Sequence, residues 1–447
     1  MALTVLDHPI LQVGILNEDS ALPSWIELDS IDLGKHISWQ EVKASLSYDA
    51  YLRDAIRNQL DTWFVDVETK PGWRVSMLQR EGTFHWLDVI FCWNHTHFDG
   101  VAGKVLHQSL LHNLNNPKIN QELPNLRRNV LQLEGVADRF PPPPEKLIKI
   151  PISLGYALST VWKQLRPPSL VWNDSTQVNW APIREQPYRT EFRTFSINDA
   201  TLKKVVDKCR AHKTTITGLL HALPLASLAC QLAEGAKHYK EEAKSMYAIT
   251  ALDTRRFVPA NPKQYPWHVP STTMDNEMTL CDHTFDENLV AEMRSKRKDA
   301  SSEDEAMAKL EDLVWSAAAR ARQDIQQKLD RGMDNDPLGL MGFVKDWRAQ
   351  KKQQLKKPRV GAWGVSNLGT LDGDAEGLGS RGWKIERAVF QLSCELTSPV
   401  FHISSISVKG KELCVDVSWQ EGIVDVEIGD RLASDMETWL RFLGDGG

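Results

Sequence analysis

Six cysteines in 447 residues, scattered and with no CxxC pair, are too few and too dispersed for a disulfide framework and fit a reducing compartment. Several sit in apolar runs such as WLDVIFCW, where cysteine acts as a small buried hydrophobe. No apolar run is long enough to cross a bilayer. The richest, ITGLLHALPLASLAC (216–230), is short and carries Thr217, His221 and Pro224. The first twenty residues lack the basic start and clean apolar stretch of a signal peptide. There is no excess of positive charge either: the formal net charge is −6, which gives no general pull toward nucleic acid or anionic membrane, so any basic site must be local. Internal repeats and low-complexity tracts are also missing. A soluble, cytoplasmic protein with no membrane span and no nucleic-acid partner is expected.

What is present is a globular composition, 42% hydrophobic and 25% charged, in a chain too long for one ordinary core. The stretch SWQEVKASLSYDAYLRDAIRNQL reads as helical. WRVSMLQREG and TFHWLDVIFCW read as a hairpin whose second strand, apolar throughout, is central. NHTHFDGVAG follows it directly and leads into the helical VLHQSLLHNL, placing a motif on a strand-to-helix turn. FPPPPEKL is an extended punctuation mark. The polar, aromatic passage 171–189 reads as the crossing between domains. The second half opens with the strand TEFRTFSI and the amphipathic helix DATLKKVVDKCRAHK. KTTITGLLHALPLASLACQLA is then a buried helix capped by Thr214 or Thr215. Further strands fall in SMYAITALDTRRFV, AWGVSNLGTL, WKIERAVFQLSCEL and FHISSISVKGKELCVDVSW, with charge-rich helix over 286–330. Strands interleaved with helices in both halves indicate an α/β fold, with domains at 1–188 and 189–447.

The run from His95 to Gly100 admits three readings. As HxxxDG, His95 is a neutral base facing a cleft, Asp99 locks the turn by pairing elsewhere, and Gly100 follows. As HxHxD, His95, His97 and Asp99 begin a zinc site of a metal-dependent hydrolase. The expected continuation fails, because Gly100 stands where a further histidine belongs and no histidine occurs between His112 and His212. The plain reading makes both histidines turn-capping polar residues.

The stretch from the WRV strand through NHTHFDG resembles the core of the HxxxDG acyltransferases, which include chloramphenicol acetyltransferase, the plant BAHD enzymes and peptide-synthetase condensation domains. PGWRV (71–75), PPPPEKL (141–147), TTITGLLHA (214–222), LDTRRF (252–257) and WGVSNLG (363–369) resemble, in order, segments of the fungal alcohol acetyltransferase-like branch. The resemblance spans residues 70 to 420; Asn94 replaces a frequent first histidine, and the plant DFGWG segment is absent. It implies two chloramphenicol-acetyltransferase-like domains with an active-site channel at their interface. It also implies an acyl-CoA-dependent O-acyltransferase, transferring acetyl from acetyl-CoA to a hydroxyl of a hydrophobic secondary metabolite. No bound cofactor and no metal are expected, and the chain should act as a monomer. His95 would be the general base, Ser366 and Asn367 the oxyanion donors, and Arg255 the partner that holds Asp99. Gly100 would let the backbone pass close to the substrate tunnel. A repurposed member of the same fold that transfers no acyl group stays open.

Trp93, His97 and Trp363 are expected to line the acceptor pocket, with most of the sixteen tryptophans in the core. His97 has a packing role as its alternative. GLGSRG (377–382) satisfies GxGxxG but lacks the strand before and helix after that a dinucleotide site needs. The basic run around Lys351, Lys352, Lys356 and Lys357 reads as a solvated helix face rather than a receiver for the CoA 3′-phosphate; Arg255 and Arg256 are the alternative receivers, though pairing with Asp99 better explains Arg255. NDS (173–175) has the form of a glycosylation acceptor, irrelevant without secretion.

Overall fold

The computed structural model describes residues 1–83, 85–116, 122–166, 175–232, 243–374, 377, 382–397 and 399–445. NDS (173–175) and GLGSRG (377–382) lie largely outside these residues. In the first half, β1 (Ile37–Val42) pairs in parallel with β2 (Trp73–Arg80), which pairs antiparallel with β3 (Asp88–Trp93). The central strand is therefore β2, and the expectation of a central β3 fails. β3 is apolar for a different reason: although an edge, it is covered on both faces. Cys92 donates to the Gln59 carbonyl of the helix α1 (Tyr48–Asp61) at 3.2 Å, and Phe91 stacks on Phe98. Residues 38–42, read as helix, are strand because β2 pairs them; the helix begins only after the Ser47 cap. After β3 comes α2 (Gly100–Asn115), whose first turn is closed by Asp99 accepting from the Ala102 amide at 3.0 Å.

The second half is built on six strands: β4 (Thr190–Ile197), β5 (Met246–Asp253), β6 (Met278–Phe285), β7 (Trp363–Leu371), β8 (Phe401–Val408) and β9 (Leu413–Gln420). They lie in the order β6-β5-β7-β8-β9-β4, parallel across β5-β7-β8 and antiparallel elsewhere. Its helices include α3 (Asp199–Ala211), α4 (Ile216–Gln231), α5 (Glu303–Arg331) and α6 (Val426–Asp445). α4 is capped by Thr215, while Thr214 donates across to the Ala318 carbonyl of α5 at 2.7 Å. That close approach requires Gly218, since a Cβ there would lie 2.5 Å from the same carbonyl oxygen. FPPPPEKL ends in a short helix, Pro144–Leu147, rather than continuing extended.

Behind this sheet runs a one-way hydrogen-bond chain. Trp363 Nε1 can only donate, so His221 Nδ1 (3.1 Å) accepts; His221 Nε2 then donates to Thr250 (2.7 Å). Thr250 in turn donates to His283 Nε2 (2.8 Å), and His283 Nδ1 donates to Asp324 (2.9 Å). Burial depresses the proton affinity of both histidines, as two neutral links require.

WKIERAVFQLSCEL, read as a strand, is not one here. The passage instead ties the halves together: Trp383 exchanges two hydrogen bonds with Asn115, and Phe390 stacks on Trp93, while the Cys394 amide anchors it to Thr190 at the start of β4 in its own half. No helix among the described residues is long and apolar enough to cross a membrane.

Candidate active site

His95 stands exposed on the turn between β3 and α2. The residues around it are fixed by a segment of the second half, Asp275–Glu277, just ahead of β6. Asn276 Nδ2 donates to the His95 carbonyl at 2.8 Å and lies 3.3 Å from His95 Nδ1. The amide therefore holds chiefly the backbone and only loosely the ring. Nε2 has no hydrogen-bond partner among the described residues; it can serve as a base only in the tautomer with the proton on Nδ1, in which the 3.3 Å approach of the Asn276 amide is a contact between two donors and not a hydrogen bond.

Asp99 faces the opposite way. Both its oxygens bind the Arg255 guanidinium, at 2.8 and 3.1 Å, and the Glu277 amide donates to it at 2.9 Å. Arg255 also binds the Asp275 carboxylate and its carbonyl, and Asp275 meets His268 Nε2 at 2.7 Å. Arg255, Asp99 and Asp275 are all buried. Burial alone would lower the Arg255 proton affinity; Asp99 and Asp275 outweigh it and raise the affinity. Glu277, buried beside them, has its carboxyl pushed up to about 8, first by burial and then by Asp275. It carries a proton near neutrality, so it adds no fourth negative charge to Asp99, Asp275 and the partly exposed Asp253, all of which bind Arg255.

The far end of β7 comes to the start of the same helix. Lys104 Nζ donates to the Leu368 carbonyl at 2.7 Å, and a Cβ on Gly100 would lie 2.8 Å from both Leu368 and Phe390 side chains. Gly100 is thus needed for packing of the two halves, and the space beside it is filled by protein rather than by a tunnel. Ser366 and Asn367, which immediately precede Leu368, share this neighbourhood. Asn367 Nδ2 donates to Thr217 (3.1 Å), whereas the Ser366 hydroxyl is unengaged among the described residues.

Residues 31–429 match the family model for alcohol acetyltransferases. The chain belongs to the alcohol acetyltransferase family. It is 27% identical over 450 aligned residues to a probable alcohol acetyltransferase, FCK4, of Fusarium pseudograminearum, covering 99% of this chain and 85% of that protein. To the probable alcohol acetyltransferase crmB of Aspergillus fumigatus it is 24% identical, over 94% and 84% of the two chains. Among solved structures it superposes on TRI3, the trichothecene 15-O-acetyltransferase of Fusarium sporotrichioides. The TM-score is 0.67 at 13% identity, covering 99% of this chain and 85% of that one. The fold is that of the two-domain acyltransferases, and this alcohol acetyltransferase family member is an acyltransferase.

The structure brings His95, Asp99, Gly100 and Arg255 together and sets Leu368, the residue after Ser366 and Asn367, against Gly100. It separates the three residues expected to line the acceptor pocket. His97 is 2% exposed: its ring packs tilted against Trp25 and fills the space left by Gly72, and burial pushes its pKa down to about 4. With His97 turned inward and Asp99 taken by Arg255, the zinc reading of HxHxD has no converging ligands. No group of three or more His, Cys, Asp or Glu among the described residues could hold a metal ion. Trp363 is fully buried in the hydrogen-bond chain behind the six-stranded sheet. Trp93 is half-buried between Phe91, Phe98 and Phe390, donates to the Phe98 carbonyl at 2.8 Å, and packs over Gly103. All three serve packing.

Asn276, Asp275, His268, Glu277 and Lys104 were missed by sequence reasoning. The one available signal was the polar triplet Asp275-Asn276-Glu277 just before the alternating strand β6, but nothing in the spacing told that it would land beside residue 95.

Proposed function

We propose that this acyltransferase moves an acetyl group from acetyl-CoA to a hydroxyl of a hydrophobic small molecule, with His95 as general base. The supporting observation is the division of roles on one turn. Asp99 is fully committed to Arg255, the Glu277 amide and the cap of α2, while four residues earlier His95 is exposed and its Nε2 has no partner among the described residues. A base needs that freedom, and a carboxylate so engaged is a structural residue.

In the proposed reaction Nε2 takes the proton of the acceptor hydroxyl as its oxygen bonds to the thioester carbonyl carbon. The tetrahedral oxyanion accepts from the Ser366 hydroxyl, which has no competing partner among the described residues, with Asn367 second because its amide is shared with Thr217. Collapse breaks the carbon–sulfur bond, and the imidazolium returns its proton to the leaving thiolate. No covalent enzyme intermediate forms. The two halves act as domains 1–188 and 189–447, joined at the Asp99–Arg255 crossing. The trichothecene alcohol acetylated by TRI3 favours a bulky secondary metabolite over a short alcohol as acceptor.

The test is incubation with acetyl-CoA and a panel of hydrophobic alcohols, followed by mass spectrometry. An acetate ester formed in step with free CoA supports the reading. CoA released with no ester, or no turnover of any hydroxyl substrate, contradicts it.

A further inference from the structure

The helix Leu154–Leu165 is mounted inside out. Leu154, Leu158, Val161 and Trp162 recur at helical spacing along one stripe, yet this stripe faces solvent: Leu154 is 76% exposed, Leu158 62% and Trp162 61%. The side turned toward the protein is instead Tyr156, Ala157 and Thr160, all half-buried. An amphipathic helix folded only for its own core would be rotated the other way.

The stripe continues onto a second element. The Asn335 amide donates to the Pro151 carbonyl at 2.8 Å, Asn335 Oδ1 accepts from the Ser153 amide at 2.8 Å, and Gly339 is crowded by Ile150 and Ile152. These contacts fix the turn after α5 against the start of the helix. Met341 and Phe343, the latter 77% exposed, follow immediately on that turn. Next comes the helix Trp347–Gln354, which opens with the exposed Trp347 and ends in Lys351 and Lys352. Lys345, Lys352 and Lys356 are exposed and have no ion-pair partner among the described residues. In a chain of net charge −6, an outward apolar stripe joined through the turn at 335–343 to a lysine-rich segment is a local exception.

We propose that this face is a docking surface for an anionic phospholipid membrane, on which the protein lies peripherally. The Leu-Leu-Val-Trp stripe and Phe343 enter the headgroup–acyl boundary, and the lysines meet the lipid phosphates. An outward apolar stripe with aromatic residues and a basic border is the chemistry an interfacial helix uses, and none of it calls for a spanning segment. In a symmetric dimer through this face the same lysines would meet one another, so their charge favours anionic lipid over a second copy of the chain. The inference is independent of the acyl-transfer reading.

Flotation of the full chain with liposomes tests it, using phosphatidylcholine alone and phosphatidylcholine containing phosphatidylserine. The protein should float with the mixed vesicles, more weakly with the neutral ones, and be released from the mixed vesicles as salt is raised. The double variant Leu158→Glu, Trp162→Glu should reduce the floated fraction at least about tenfold. Lys352→Glu, Lys356→Glu should erase the preference for phosphatidylserine. These side chains are exposed, so thermal unfolding of both variants should match the wild type. No flotation at low salt, or flotation untouched by the apolar double variant, overturns the proposal. So does a dimer in sedimentation that the same variant dissolves while flotation is absent.

Discussion

Replacing Arg255 by methionine keeps the bulk of the side chain and removes its charge, leaving Asp99 and Asp275 buried without their common partner. The side chains of Arg255, Asp99 and Asp275 are 5%, 6% and 2% exposed, so water cannot take over. Breaking a buried pair in this way costs about 3–5 kcal/mol. Asp99→Asn removes the opposite charge and keeps one oxygen for the Ala102 amide, so the cap of α2 survives, while its Nδ2 takes the place of the oxygen that accepted from the Glu277 amide. The double variant should therefore cost less than the two singles together by about 1–3 kcal/mol, because it strands one charge fewer. Urea unfolding followed by tryptophan fluorescence measures this. The first transition is the one to analyse, since a two-domain chain need not unfold in one step. The pair joins the β3–α2 turn of one half to the β5 end of the other, so that transition should move to lower urea in Arg255→Met. An Arg255→Met protein within about 1 kcal/mol of the wild type, or strict additivity in the cycle, would refute this account of the crossing.

Two further predictions concern the segment before β6. Glu277 titrates near 8 in the fold and near 4.5 when unfolded, so the native state prefers it protonated and loses stability as pH rises between those values. Glu277→Gln keeps an acceptor for Thr254. The stability of that variant relative to the wild type should grow from pH 5 to pH 8 (~1.4 kcal/mol per pH unit as an upper limit), and a pH-independent difference in urea midpoints would sink the assignment. Asn276→Ala should lower kcat by about tenfold or more with little change in KM for acetyl-CoA, because it frees the His95 backbone without touching substrate. Asn276→Asp places a carboxylate beside Nδ1, which favours the protonated ring, and should move the acid limb of the rate profile to higher pH. Wild-type rates and profiles in both variants would remove Asn276 from the account.

The parts of this molecule legible in its sequence are those set by local pattern. Alternation and periodicity located β2, β4, β5 and α3; the threonine cap located α4. The ordered segments from PGWRV to WGVSNLG pointed to the family and to the Asp99–Arg255 pairing. What could not be read depends on which surfaces meet. β3 looks central because both its faces are covered, but coverage is a tertiary fact. His97 and Trp363 look like pocket residues because they adjoin motifs, yet a two-residue step along the turn sends His97 under Trp25. Asn276 lies 181 residues from His95, and only the sheet order of the second half brings it there. The outward stripe on Leu154–Leu165 has the periodicity of any buried helix, and its orientation is invisible without its neighbours.

The central claim is that the free nitrogen of His95 removes the acceptor's proton. Acceptor-dependent release of CoA thiol, compared between wild type and His95→Ala of equal unfolding midpoint, tests it most directly. Loss of a positioned base should slow release by a factor of about a hundred to ten thousand. Thiol release at the wild-type rate in His95→Ala would contradict the account.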